Sequence, residues 1–392
     1  MLDRHLAALR EAVPHGNRKL FLDDVFVAYL LAFFNPTLRS LRTIEDFSQT
    51  RQARRHLSVR KLCKSTLSDF NRLIDPRVLE PVMDRLRGEV VRRNAGRDSR
   101  RLTADLSQIV PQVLACDGSF FTLAADVAWA VQHATNQGKT HASARLDVQL
   151  DVGTGLPELV NVSGSETSEA EHAALHVRPG AVHLYDRGIF SFEMIEAHRS
   201  RNAFFVNRIR KAGKRCPSVT LVEERPLTDR DRKAGVISDR LVRLSGSKRR
   251  VAPNVVLREV ILESPQEDGG TIRLLTNLLE AEAWVIGELY RQRWQVELFF
   301  RWLKVYAHFD HLISETREAL LFNFYVAVIG VLLIYLHSEC KPSKYAFLLL
   351  GMVAQGGATL EEILPILQER ERRIALERAR VARRRAEKSS QS

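Results

Sequence analysis

Tyr290, Arg293, Glu297 and Lys304 stand at fixed spacing in the stretch WVIGELYRQRWQVELFFRWLK, residues 284–304. Arg offers planar, two-pronged recognition of phosphate and Lys a point charge, while a carboxylate is a hard ligand for a divalent cation. After Gly287 the stretch holds neither Gly nor Pro, and its apolar residues recur at helical spacing, which predicts one helix over Trp284–Lys304. At about 100° per residue the four polar side chains fall within about 60° of one another, on a stripe roughly 21 Å long. Val285, Leu289, Val296, Phe300 and Leu303 fall directly beside that stripe and form its buried flank. A carboxylate flanked by two cations at the edge of a buried face is a costly arrangement for a helix that only packs. An amphipathic helix with a salt-bridged polar stripe accounts for the spacing equally well, since Arg293 and Glu297 make a good i,i+4 pair.

The order Tyr290-x2-Arg293-x3-Glu297-x6-Lys304, in the context LYRQRWQVELFFRWLK, resembles the Tyr-Arg-Glu-Lys signature of DDE transposases of bacterial insertion sequences, in the insertion-sequence-four type group. The resemblance implies that Glu297 is the third metal-binding carboxylate of a ribonuclease H-like core, with two aspartates upstream at the ends of strands. QVLACDG reads as a short buried strand ending at Asp117-Gly118, and AVHLY (181–185) as a strand ending at Asp186-Arg187-Gly188. Carboxyl ends of sheet strands are where open α/β folds place their chemistry. Asp117-Gly118-Ser119 is similar to the first motif of the family, with Ser where many members have Thr. Asp186-Arg187-Gly188 is similar to the second, with Ile189 where an aromatic residue is commoner. Neither departure touches a ligand, and the resemblance covers roughly residues 20 to 340.

Phosphodiester chemistry needs an activated oxygen, charge stabilisation at phosphorus and help for the leaving oxygen. Two divalent ions roughly 3.5–4 Å apart supply all three, and Mg²⁺ prefers carboxylate oxygens and water to thiolate or imidazole. Three acids converging from distant positions repel one another without a cation. From the resemblance, Asp117 is expected as the bridging ligand of two Mg²⁺ (or Mn²⁺) ions, with Asp186 and Glu297 each holding one. Tyr290, Arg293 and Lys304 are expected to contact DNA phosphates at the element's end.

The wider composition agrees with such a substrate. The 392 residues carry 59 Lys+Arg against 47 Asp+Glu, a net charge of +12, and strong basicity suits a polyanion such as double-stranded DNA. A membrane surface is the competing anion. The amino terminus has no signal-peptide pattern. The longest apolar run, Leu320–Leu336, contains Asn323 and Gly330 and reads as a buried core helix, so no membrane span is expected. Cys63, Cys116, Cys216 and Cys340 are scattered without a CxxC, which fits a reducing cytoplasm, at the nucleoid of a bacterium if the resemblance holds.

Along the chain, residues 1–105 read as an all-helical domain that binds DNA ends. A basic stretch, Arg39–Lys64, leads into a candidate helix-turn-helix with Ser65 capping its second helix, and a second basic cluster follows at Arg85–Arg101. A basic face on a helical bundle is the plainer account of the same charges. Residues 106–207 alternate strands and helices and form the first part of an α/β, ribonuclease H-like core. Residues 208–270 are highly basic with three strand candidates and read as an inserted β-rich subdomain. The core resumes at 271–340 with the glutamate helix, and 341–392 are helices ending in a basic tail.

Other polar groups have ordinary explanations. His172 and His176 share the i,i+4 spacing of helical metal ligands, but the glutamate of an HExxH site is absent. Asp147, Asp151 and Glu166 lie near the sheet, either supporting the acids or solvated. Trp284, Trp294 and Trp302 are read as packing residues. Three functions stand on these observations: a DNA transposase acting as a homodimer that holds two ends, a related nuclease that cuts without joining, and a catalytically idle DNA-binding derivative.

Overall fold

Apolar periodicity changes near residue 112, from the 3.6-residue repeat of helices to the two-residue repeat of strands, and the architecture changes with it. The computed structural model describes residues 2–11, 21–35, 37–94, 112–124, 127–134, 140–210, 217–245, 255–264, 270–305, 313–338 and 344–389. The boundary expected near residue 105 lies outside them, as do Arg97, Arg100 and Arg101 of the second basic cluster. The chain divides into a helical unit, Met1–Arg93 with Arg301–Ser392, and a sheet unit, Asn94–Phe300.

The chain opens with α1 (Leu2–Glu11), α2 (Leu22–Phe34), α3 (Leu41–Ser48), α4 (Lys64–Leu73) and α5 (Glu80–Asn94). Ser40 caps α3 in a reciprocal box with Thr43. Cys63, not Ser65, stands at the N-cap of α4, which has no side-chain cap bond. The expected first helix before it is replaced by bends over 58–60, pinned where Asp24 accepts bonds from the Ser58 N–H (2.7 Å) and hydroxyl (2.6 Å).

In the sheet unit, β1 (Val113–Leu123), β2 (Val131–Ala134), β3 (Thr140–Asp151) and β4 (Leu156–Ser163) come first. After them come α6 (Glu169–Leu175), β5 (Val182–Tyr185), α7 (Phe192–Ser200) and β6 (Phe204–Ile209). β1 and β3 pair antiparallel, β4 and β2 both pair with β3, and β5 and β6 run parallel to β1. The order β4-β3-β1-β5-β6 meets the expectation of a ribonuclease H-like α/β core. Leu114, Tyr185, Met194, Ile195 and Phe205 fill one core cluster beneath it.

The basic segment 208–270 contributes β7 (Ser218–Glu224), α8 (Asp229–Lys233), β8 (Val236–Ser245) and β9 (Val256–Glu263), followed by β10 (Thr271–Thr276). These strands make no sheet of their own. β10 pairs with β6, and the sheet continues β10-β9-β8-β7. An open β6 edge would leave a row of unpaired backbone groups, and β10 covers it. The outer strand β7 is exposed along most of its length, carries Glu223 and Glu224, and has a register shift between Leu221 and Glu223, features that blunt an edge.

Trp284–Lys304 is two helices rather than one: α9 (Ala283–Arg291) and α10 (Trp294–Val305). Between them the N–H groups of Gln292 and Arg293 bond three residues back, to Leu289 and Tyr290 (both 3.0 Å), so the ladder tightens and breaks at Gln292-Arg293. The expected buried flank, Val285, Leu289, Val296, Phe300 and Leu303, is buried in full. The start of α9 is held by buried charge. The Trp284 N–H donates to Asp231 at 2.8 Å. Arg258 of β9, 1% exposed, grips Asp239 with two bonds (2.7 and 2.8 Å) and donates to the carbonyls of Leu278, Leu279 and Ala281 just before the helix.

Beyond α10, α11 (Arg317–Ser338), α12 (Lys344–Ala354) and α13 (Leu360–Ser389) belong to the helical unit, so the residues after 300 join the N-terminal helices. α11 is long and apolar enough to cross a bilayer, but most of it is buried. Tyr29 and Phe70 meet Phe322 edge-on at 5.3 and 5.6 Å, and Tyr325 donates to Glu80 at 2.5 Å. A Cβ on Gly330 would come 3.2 Å from both Leu30 and Phe34, so the missing side chain lets α11 and α2 approach closely. The basic residues 370–388 continue α13. Arg258→Met should lower the stability of the protein in urea by about 3–5 kcal/mol, because Asp239 and the carbonyls before α9 are left buried without a partner.

Candidate active site

Asp117 and Asp186 reach one place by strand register. The parallel pairing of β1 with β5 ends at Ala115 opposite Leu184. Two further residues on each strand bring Asp117 and Asp186 abreast, at a strand spacing of about 4.8 Å. Asp186 follows β5 directly, as expected. Asp117 does not end its strand: β1 runs on to Leu123, paired with β3. It stands where β5 stops, so the crevice opens beside β1 rather than at its tip.

α9 and α10 supply the remaining residues. The Tyr290 hydroxyl donates to Oδ1 of Asp186 at 3.2 Å. Arg293 hydrogen-bonds Glu297 through Nη2, and its Nη1 lies 3.8 Å from Oδ2 of Asp117. Its guanidinium centre is 5.8 Å from the Tyr290 ring. The break at Gln292-Arg293 thus delivers Arg293 inward, where it is 9% exposed, and lets one cation serve two acids. Five expected residues therefore converge: Asp117, Asp186 and Glu297 are joined through Tyr290 and Arg293. Tyr290 and Arg293 face the acids instead of presenting themselves to solvent. Lys304 stands two turns beyond Glu297 on α10, within the helical unit, and burial lowers its pKa.

The acids feel both burial and each other. Burial, with smaller repulsion from Glu169 and Asp186, raises Asp117 from 3.8 to about 7 against the pull of Arg293 and the Gly118 N–H. Burial and the Asp186 charge raise Tyr290 to about 12, so its hydroxyl stays a donor. Arg208, with Nη1 4.0 Å from Asp186 Oδ1, adds a second cation.

Three carboxylates, supplying hard oxygen donors and a surplus of negative charge, fit a divalent cation by the chemistry of the set. Among the described residues no three His, Cys, Asp or Glu side chains are drawn up around a single point. Arg293 is the counter-charge to Asp117 and Glu297 in this arrangement.

Several polar neighbours surround the acids or lie nearby. A cavity of about 20 Å³, room for a water or two, is lined by Asp117, Gly118, Asp147, Glu169, His172 and Tyr185. Asp147 is buried in a network with Arg145 (2.7 and 3.2 Å) and Ser163 (2.6 Å). Asp151 accepts from the Thr154 N–H at 2.6 Å and Glu166 from the Gly164 N–H at 3.1 Å, so both shape turns. The His172 ring on α6 lies 4.1 Å from that of His176, its C-cap, at a tilt of 31°, and burial lowers His172 to about 4, keeping it neutral. Ser168 caps α6 and thereby fixes Glu169 at its start. A capping serine is legible in sequence; what the next side chain faces is not.

A family model described as a transposase DDE domain matches residues 109–333, more than half of the chain. A Sinorhizobium fredii protein named as a transposase (y4zB) is 27% identical over 192 residues, 48% of this chain and 52% of its own length. A Geobacillus stearothermophilus protein named as the transposase of insertion sequence element IS5377 is 41% identical over 75 residues, 19% of this chain and 20% of its own. This chain thus spans about half the length of the first relative and a fifth of the second. The piggyBac transposase synaptic complex with hairpin DNA superimposes with a TM-score of 0.41 at 13% identity, over 93% of this chain and 80% of that one.

Because the folded state raises the Asp117 carboxyl from 3.8 to about 7, its ionisation disfavours folding. That penalty is absent below pH 4, grows as pH rises from about 4 to 7, and then levels at up to about 4 kcal/mol. In chelator, Asp117→Asn should melt above the parent protein at pH 8 and at the same temperature near pH 4.

Proposed function

This chain belongs to the transposase DDE domain family, and from that premise we propose that it cuts the ends of an insertion sequence and joins the freed 3′-OH to target DNA. The observation that carries the reading is the convergence of Asp117, Asp186 and Glu297 through Tyr290 and Arg293. An active phosphoryl-transfer centre needs those acids together, whereas a helix that only packs does not.

Asp117, Asp186 and Glu297 are the residues that would hold two Mg²⁺ or Mn²⁺ ions. Such ions, when bound, activate the attacking oxygen, neutralise charge at phosphorus and support the leaving oxygen. In cleavage, the oxygen of water bonds to phosphorus, the bond from phosphorus to the 3′ oxygen breaks, and a 3′-OH is left. In joining, that 3′-OH loses its proton and attacks a target phosphodiester, whose own 3′ oxygen departs. Tyr290 holds Asp186 through its hydroxyl and fixes the carboxylate that flanks the reaction. Arg293 is engaged with Asp117 and Glu297, and with cations held by those acids its guanidinium would be free to meet a DNA phosphate. Lys304 supplies a point charge to the DNA backbone further along α10.

The net charge of +12 supports double-stranded DNA as the partner. Two ends must be held together for paired joining, so the working form is a homodimer in the bacterial cytoplasm. Asp117→Ala, Asp186→Ala and Glu297→Ala should each abolish cleavage and strand transfer of end-containing DNA in Mg²⁺ while leaving DNA affinity within about threefold of the parent. Retained cutting by any of the three would overturn the assignment. Cutting by the parent without a joined product would reduce the protein to a nuclease.

A further inference from the structure

We propose that Glu169 is a fourth acid of this centre, a positioning residue that orders the water around cations held by Asp117 and Asp186. The inference rests on the metal-dependent reading above and extends it to a residue outside the Tyr-Arg-Glu-Lys and Asp motifs. Two glycines define its place. A Cβ added to Gly118 would lie 2.9 Å from Oε1 of Glu169, and one added to Gly188 would lie 3.6 Å from Oε2. Gly118 follows Asp117 directly, and Gly188 comes two residues after Asp186. The Glu169 carboxylate therefore lies across the two chain segments that carry the aspartates, in space that glycine leaves open.

Its backbone is fixed independently of that contact. Ser168 caps α6 by accepting from the Glu171 N–H, and Glu171 returns a bond to the Ser168 N–H at 2.7 Å. Among the described residues the Glu169 side chain makes no hydrogen bond or ion pair, and its nearest cation, Arg145, is bound to Asp147. A side chain placed there only to pack would not leave a carboxylate without a donor beside three other acids. A second group in the same cavity also lacks a partner. His172, 6% exposed, lines the cavity with Asp117 and Glu169, and its Nε2 is buried without a hydrogen bond. An acceptor-only carboxylate and a stranded imidazole nitrogen lining one cavity make a setting for ordered water, which donates to one and satisfies the other. Groups that orient ligands or metal-bound water in this way typically alter metal affinity 10- to 100-fold when changed.

The test is Mn²⁺ binding to the full chain by electron paramagnetic resonance, with Asp186→Asn as control, alongside the Mn²⁺ dependence of DNA cleavage. Glu169→Gln keeps the shape and removes the charge. It should weaken Mn²⁺ binding about tenfold and raise the half-saturating Mn²⁺ for cleavage by the same factor, with the melting temperature in chelator unchanged or higher. Affinity within twofold of the parent, while Asp186→Asn loses binding, would overturn the role of Glu169 and leave the metal reading intact. Undiminished Mn²⁺ binding by Asp186→Asn would overturn the metal reading itself. Should Glu169→Gln fail to fold, Glu169→Asp decides the matter: it retains charge but draws it back from Gly188, and parental affinity in that variant would count against the proposal.

Discussion

Charge balance in one crevice governs this molecule. Asp117, Asp186 and Glu297 are brought together by the fold, and like charges at that range are tolerated only with a cation among them. Arg293 is that cation in the present arrangement, touching Asp117 and Glu297 at once, while Tyr290 satisfies Asp186. Burial, more than the smaller repulsion from Glu169 and Asp186, raises the Asp117 carboxyl, so the group is held in place at a cost.

The surrounding architecture can be read as the means of holding this unfavourable group in place. Parallel pairing of β1 and β5 sets two acids side by side without further machinery. The third comes from the far end of the unit, and its approach depends on Arg258, whose grip on Asp239 and on the carbonyls of 278–281 fixes the segment entering α9. Buried ionic networks of this kind contribute little net stability but penalise misplacement heavily. Extension of the sheet through β10, β9 and β8 gives Arg258 its buried setting, so the added strands serve the site from a distance.

Much of this was legible from residues alone. QVLACDG and AVHLY mark β1 and β5, and the apolar spacing of Val285 through Leu303 marks the buried flank of the glutamate helices. The expectation of three acids with Tyr290 and Arg293 came from the resemblance of their motifs, and the fold brings these five side chains together. The break at Gln292-Arg293 was not legible. Every residue there is an acceptable helix former, and the contacts that accompany the break, Arg293 with Asp117 and Tyr290 with Asp186, come from distant parts of the chain. One helical wheel drawn across it gives the Arg293–Glu297 pair correctly but not the approach of Arg293 to Asp117.

The sequence by itself determined which groups were on offer: three carboxylates, a tyrosine, an arginine, and a strongly basic chain around them. Only the tertiary structure decided that Arg293 would neutralise two of those acids, that Glu169 would lie over Gly118 and Gly188, and that residues 218–263 would extend the core sheet. The physical reason is range. Propensity, capping and periodicity act over a few neighbours along the chain, but electrostatic compensation and strand pairing act through space, between residues separated by tens to hundreds of positions.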